Sequence, residues 1–589
     1  MADLRRAQSG ISRTRSRSES SQTSTPPLHR LLSNQFPDDT SVYHLQDGEV
    51  IDVNNNAGSL HRTSNDSDTS SDDESSEKFY SERVPQTEGE TIEEKPEEVS
   101  GDNDIEAQPV TLKKTKSAKS VRDPNLVTWN GDDDPENPKN WSMRRKWAAC
   151  FIISSFTFVS PVSSSIISPA LVSISEEFNL KDRVLAQLTL SIFVLAYAIG
   201  PLFLGPLSEI YGRVLVLQLS NLFYLAWNLG CGFATSPGQL MAFRFMSGLG
   251  GSAPLAIGGG MLSDCFHAEQ RGRAISIYSL APLLGPAIGP IAGGYIVQNT
   301  TWRWCFWSTS IFTAVVQCFG FFLLQETYAP KLLAWKRDKL RKETGNKALY
   351  TEHDHPDKTL LNTLRVALKR PFILLGTQPI IQVLAIYMAY LYGIMYLVLS
   401  TFPMLWTTRY HQSSGTGSLN FIAMGLGFFI GAQTCAPLMD RIYTRLKKRN
   451  NNVGKPEFRV PMMVPASLLT PIGLFWYGWS AQAITHWILP DIGAVILCAG
   501  TIIGFQCIQT YIVDSYTRYA ASAIAAATVL RSLAGFAFPL FAPAMYETLD
   551  YGWGNSLVGF ISLALGIPAP FLLWKYGATL RTRSKFAAG

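Results

Sequence analysis

Charged side chains are sparse in the apolar part of this chain, and their placing suits ion pairing rather than covalent catalysis. Arg244 stands inside an apolar run, in Arg244-Phe245-Met246-Ser247-Gly248-Leu249-Gly250-Gly251. A guanidinium fixed in hydrocarbon costs about 2.5 kcal/mol or more on insertion scales, so it needs a partner or water. It stays charged at physiological pH and cannot itself carry a proton. It can bias a neighbouring acid, pair with a ligand, or act as a structural cap on helix ends. Glu209 and Arg213 are four residues apart in Gly205-Pro206-Leu207-Ser208-Glu209-Ile210-Tyr211-Gly212-Arg213, and Asp264, Asp440 and Asp514 stand at the ends of other apolar runs. No His/Asp or Cys/His constellation, metal-ligand spacing or nucleotide loop falls beside such a run. An enzyme, a metal and a cofactor are therefore not expected.

The elements that must carry these residues are membrane helices. From Trp147 onward, apolar runs of 18 or more residues recur, each long enough to cross about 30 Å of hydrocarbon. The expected spans are 147–170, 186–207, 214–233, 239–262, 273–297 and 304–325, then 376–405, 417–439, 459–480, 490–513, 520–545 and 555–576. They divide the chain into a tail (1–123), a juxtamembrane segment (124–146), a first bundle (147–325), a basic linker (326–375), a second bundle (376–576) and a short end (577–589). Between the spans on either side of it, the stretch from Glu326 to Arg370 shows no apolar period.

The tail holds 15 Lys+Arg against 24 Asp+Glu and only four aromatics, Phe36, Tyr43, Phe79 and Tyr80. Such a segment buries too little apolar area to offset the entropy of ordering and is expected to be disordered. Arg13 to Ser18, Lys116-Ser117 and Asp72-Asp73-Glu74 are candidate targets for kinases as partners. The first 30 residues lack the apolar core of a cleavable signal, so the first span is expected to direct targeting. The eight cysteines all lie in or beside apolar runs, with no zinc or disulfide spacing, and read as small hydrophobes.

Loop charge sets the orientation. Arg144, Arg145, Lys146, Arg213, Arg271 and Arg273 lie on one side, with eleven Lys+Arg in the linker and seven between Arg441 and Arg459. Lys575, Arg581, Arg583 and Lys585 follow. The other side has Lys181, Arg183, Arg303 and Arg409. The basic side is expected in the cytosol, with both termini. This excess of basic residues reads as a membrane signature, so nucleic acid is not an expected partner.

An internal repeat runs through the two bundles. Pro206-Leu207-Ser208-Glu209-Ile210-Tyr211-Gly212-Arg213 follows span 2, and Pro437-Leu438-Met439-Asp440-Arg441-Ile442-Tyr443-Thr444-Arg445 follows span 8. Ser263-Asp264 ends span 4 and Asp514-Ser515 ends span 10. Two six-helix halves arising from a repeat point to a transporter with a site at their interface.

The Gly205–Arg213 stretch resembles the loop 2–3 signature of the major facilitator superfamily, with Glu209 for the commoner Asp and Val214 where a second basic residue is usual. The resemblance implies that its charges pair across the cytoplasmic seam. Arg244 matches that superfamily's span 4 arginine, implicated in proton coupling. Span 5 carries Gly285-Pro286-Ala287-Ile288-Gly289-Pro290-Ile291-Ala292-Gly293-Gly294, which resembles the antiporter signature; glycines four apart allow close helix approach, and the prolines bend the helix. Asp134-Pro135-Glu136-Asn137-Pro138-Lys139-Asn140-Trp141, Trp302-Arg303-Trp304, Glu326-Thr327-Tyr328-Ala329-Pro330, and Arg531-Ser532-Leu533-Ala534-Gly535 with Phe538-Pro539-Leu540-Phe541 extend the likeness. Residues 124–585 resemble the fungal twelve-span drug:proton antiporters, a group with multidrug, polyamine and mycotoxin exporters. This implies an all-α integral membrane fold at the plasma membrane, acting as a monomer by alternating access.

Tyr387, Tyr390 and Tyr396 in span 7 and Gln506, Gln509 and Tyr511 in span 10 are candidate cavity residues. Aromatic walls with amides suit small hydrophobic or weakly cationic compounds, although any one tyrosine can equally be interhelical packing. No Asp or Glu lies near the middle of a span, which disfavours polyamines and leaves the proton-carrying acid unassigned. Three readings follow: proton-coupled efflux of drugs, fungicides or toxins; export of one endogenous metabolite or a polyamine; or a non-transporting membrane sensor.

Overall fold

Inside hydrocarbon every backbone N–H and C=O must be satisfied within the chain, so long apolar runs fold as helices. The computed structural model describes residues 123–131, 133–354, 360–584 and 586–587. Residues 1–122, with their expected disorder and kinase sites, lie outside these. Eleven helices among the described residues are long and apolar enough to cross a membrane. The last of them, Ala520–Thr582, contains two crossings: its helix breaks at Asp550, whose φ of 56° and ψ of −179° are non-helical. The count is therefore twelve.

In the first half, span 1 is Met143–Ser165, continued through the turn Ser168–Ala170 into Leu171–Glu177. Spans 2, 3 and 6 are Arg183–Tyr211, Arg213–Cys231 and Arg303–Leu323. Span 4 is bent at Ser252 between Pro237–Gly251 and Ala253–Cys265, and span 5 is Ala268–Asn299. In the second half, span 7 is Pro379–Met404, followed by a π-turn, Leu405–Arg409. Span 8 is Phe421–Arg449, span 9 Met463–Gln482 and span 10 Ile488–Ser515. Span 11 begins at Ala520, and span 12 continues beyond Asp550 into Pro568–Thr582.

The linker departs from the sequence reading. The non-periodic stretch expected there is helical over Ala329–Thr344 and Leu360–Thr377. The first linker helix has Pro330 at its start, Arg341 and Lys342 in its last turn and Gly345 at φ 67° just beyond, a sequence-encoded beginning and end that needs no apolar stripe. The juxtamembrane segment docks on it. Val127 N–H donates to Tyr350 O at 2.8 Å, Tyr350 N–H to Asn125 O at 2.9 Å, and Lys336 pairs with Asp134 at 3.0 Å. Burial pushes the Asp134 carboxyl up, but the N–H groups of Asn130 and Glu136 together with Lys336 outweigh it and hold Asp134 below the usual carboxylate range.

Within the first half, span 1 packs on span 5, and spans 2 and 3 pack on span 4; in the second, span 9 packs on span 10. The halves meet chiefly along spans 2 and 11 and spans 5 and 8. At the end opposite the basic loops, polar contacts latch them. Ser168 Oγ donates to Leu399 O at 2.7 Å, Ser164 and Tyr396 hydroxyls lie 3.1 Å apart, and Arg183 pairs with Glu547. Gln298 Oε1 accepts from Gly415 N–H at 2.8 Å and from Ser413 Oγ at 3.0 Å.

Candidate functional site

The basic end is built twice, once per half. Arg213, at the start of span 3, pairs with Asp264 at the end of span 4 at 3.3 Å and donates to Ser208 Oγ at 3.0 Å. Glu326, just after span 6, accepts from the N–H groups of Arg213 (3.0 Å) and Val214 (3.2 Å), capping span 3. Gly212 makes this cap possible. Its φ is 106°, and a Cβ there would run into the Glu326 carboxylate. In the second half Arg459 pairs with Asp514 at 2.9 Å and Asp440 at 3.3 Å, while Arg581 pairs with Glu457 at 3.2 Å.

In this structure the ion pairs of Arg213 and Arg459 each stay within one half, rather than reaching across the seam. The reason is that the ends of spans 2, 3 and 4, and of spans 8, 9 and 10, are neighbours inside their own bundles. Glu209 is exposed on the last turn of span 2, and the acid on Arg213 is Asp264 instead.

Arg244 is fully buried. Its guanidinium donates to four backbone carbonyls: Ser163 at 2.7 Å, Thr189 at 3.2 Å, Leu190 at 3.3 Å and Ser164 at 3.4 Å. The Phe193 ring lies 4.6 Å from its central carbon. Among the described residues no carboxylate forms an ion pair with it. Span 4 thereby clasps spans 1 and 2, and five fixed donors on a planar fork make that possible where an ammonium would not.

The span 5 glycines face span 1. Added Cβ atoms at Gly285 and Gly289 would meet Pro161 Cβ at 2.6 Å and Val162 O at 2.8 Å, and one at Gly293 would overlap Ile166 O. Gly294 instead faces the second half, where a Cβ would overlap Ser418 Oγ. Pro286 and Pro290 lie inside the helix and supply no N–H to the carbonyls four residues back.

The tyrosines separate. Tyr390 and Tyr396 belong to a core cluster shared with spans 1 and 2 of the first half, and Tyr396 reaches Ser164 across the seam. Tyr390 OH donates to Val558 O. Tyr387 and Tyr511 lie in a separate core cluster of the second half, and Tyr511 OH faces Gly577 beside Glu457, close to the basic end. Gln506 and Gln509 are half-buried in span 10, with the Gln506 Oε1 buried and unpaired.

Two six-helix halves repeating the same charge cluster, joined along spans 2/11 and 5/8, define an architecture that comparison identifies. The family model described as Major Facilitator Superfamily matches residues 153–539. The chain belongs to the major facilitator superfamily. It is similar to the efflux pump vrtL of Penicillium aethiopicum, 55% identical over 487 residues that cover 82% of this chain and 96% of that one. It is also similar to the MFS-type transporter penM of Penicillium rubens, at 41% identity covering 86% and 98% of the two chains. With the efflux pump radE of Floropilus chiversii the identity is 42%, covering 79% and 86%. Among solved structures, the proton:xylose symporter XylE bound to 6-bromo-6-deoxy-D-glucose shares the fold, with a TM-score of 0.55 at 14% identity over 74% of this chain and 96% of that one.

On this superfamily fold two further residues stand out that the site reading missed. Arg531 of span 11 lies against the rings of Tyr392 and Phe505, 5.1 and 5.2 Å from its central carbon. It was visible in sequence as a charge within an apolar run, the same signal that singled out Arg244. Asp491, in the first turn of span 10, is buried with one oxygen unpaired, near Tyr410 and Tyr477. Its position at a span boundary hid it.

Proposed function

We propose that the chain exports small hydrophobic compounds, xenobiotics or toxins, in exchange for protons across the fungal plasma membrane. Its halves rock about the interface of spans 2/11 and 5/8, with the basic end and both termini in the cytosol. The observation that carries this reading is the near full-length similarity to an efflux pump, on a chain whose halves are latched at the end opposite the basic loops. The latched end would be the outer gate, closed here. The glycine face of span 5 supports exchange because Gly294 joins the halves at that gate and its neighbours lock spans 1 and 5 into one body.

Proton coupling would use the acids of the basic end, Asp264, Asp440 and Asp514, with Arg244 holding the first half in one piece. The test is expression in a yeast lacking its own pumps, scored for growth on a panel of chemically diverse toxins. Raised tolerance to several unrelated compounds supports multidrug export. Tolerance to a single compound points to a dedicated metabolite exporter. No change on any compound contradicts export.

A further inference from the structure

Two arginines stand inside apolar spans away from the loop ends, and their surroundings differ. Arg244 is saturated by four carbonyls and has no exposed surface. Arg531 is half-buried, its Nε is buried and unpaired, and it forms no ion pair among the described residues. Two aromatic faces hold it, Tyr392 from span 7 and Phe505 from span 10, and their own centroids are 6.4 Å apart. Beside Phe505 the amide oxygen of Gln506 is also buried without a partner.

The position of Arg531 matters as much as its chemistry. It lies about 17 Å into span 11 at 1.5 Å per residue, well inside the hydrocarbon. One turn further, a Cβ on Gly535 would touch both Tyr392 and Val194 of span 2, so this face of span 11 meets the first half. Arg531 therefore stands at the interface between the halves, where alternating access would expose a ligand to each side in turn.

A guanidinium in hydrocarbon needs compensation, and contacts with two rings supply only part of it. The remainder is matched by an anion that accepts from the planar fork through two oxygens, while the paired rings beside the fork accept a flat apolar body. We propose that Arg531 is the recognition residue for the carboxylate of a planar aromatic substrate. This deepens the export reading and rests on it. It also replaces the weakly cationic compounds expected from the tyrosine walls, because a fixed positive charge repels them.

The test is binding to the full-length protein in detergent, read by quenching of its 14 tryptophans. The probes are 9-anthracenecarboxylate and 1-naphthoate, each against its carboxamide. Wild type is expected to bind each acid about tenfold tighter than its amide, the scale of one charge-assisted hydrogen bond. Arg531→Gln should bring acid and amide within about twofold, leaving the amide unchanged, and Arg531→Lys should keep an intermediate preference. If Arg531→Gln does not fold, the reduced but persistent acid preference of Arg531→Lys decides the question. The proposal is overturned if wild type binds neither class or binds the amides as tightly. It is also overturned if Arg531→Gln keeps the preference, or loses acid and amide equally at an unchanged melting temperature. Binding needs no proton gradient, so protonophore-insensitive efflux would contradict the antiport reading without touching this result.

Discussion

Replacing Arg244 by alanine should loosen the first half of the transporter before it does anything else. The guanidinium ties span 4 to spans 1 and 2 through four carbonyls at 2.7–3.4 Å. At ~0.6 kcal/mol for an average interhelical hydrogen bond in a bilayer, these sum to ~2.4 kcal/mol. The Phe193 contact adds about 0.5 kcal/mol more. At roughly 2 °C per kcal/mol for a large chain, a loss of about 3 kcal/mol lowers the melting temperature by about 6 °C. Arg244→Lys keeps the charge but its ammonium reaches fewer carbonyls, so about half that drop is expected. Both are read by a tryptophan-fluorescence melt in detergent, alongside dye efflux from cells with matched surface levels. Alanine should abolish uphill efflux, and lysine should retain a small fraction. An alanine variant melting within ~1 °C of wild type would refute the clasp and return Arg244 to a purely ligand- or proton-facing role.

Four further substitutions or conditions probe the packing. Gly293→Val should lower the surface level, because its side chain overlaps Ile166 O and overpacking typically costs about 1–3 kcal/mol. Gly294→Val should instead leave the first half folded but open the latch. A Ser413→Cys reporter would then label faster with a membrane-impermeant thiol reagent than in the Gly294 parent; equal labelling contradicts the latch. Asp491→Asn should melt at or above the wild-type temperature, since a neutral isostere relieves a buried carboxylate with an unpaired oxygen. A fall of several degrees would reveal a partner for that acid. The Asp134 carboxyl is held below its ordinary range, so its contribution is present above the unfolded value and is lost as pH falls through the folded one. Proteolysis of the linker helix Ala329–Thr344 should accelerate only below the usual carboxylate range, and Asp134→Asn should cleave fast at every pH.

The crossings were legible because hydrocarbon thickness demands long apolar runs, which leave a one-dimensional mark. The linker helix Ala329–Thr344 left a different mark, Pro330 at its start and Gly345 past its end, and reading by apolar period alone passes over it. Whether Arg213 takes Glu209 or Asp264 depends on which helix ends adjoin, and four-residue spacing does not carry that information. Span 5 shows both sides of the limit. Its glycines announce close approach, yet only the fold reveals that Gly285, Gly289 and Gly293 meet span 1 while Gly294 meets the other half. Tyr390 and Tyr396 could not be told from Tyr387 by sequence either, because span 7 is apolar throughout and mostly buried. Arg531 was readable as an intramembrane charge, but its two aromatic walls come from spans 7 and 10, more than twenty residues away in the chain.

The measurement that bears most directly on proton-coupled export is dye efflux from pump-deficient yeast expressing the chain, with and without a protonophore. Antiport predicts rapid efflux with the gradient intact and loss of uphill export once it is collapsed, at unchanged surface level. Equal export in both conditions would contradict it.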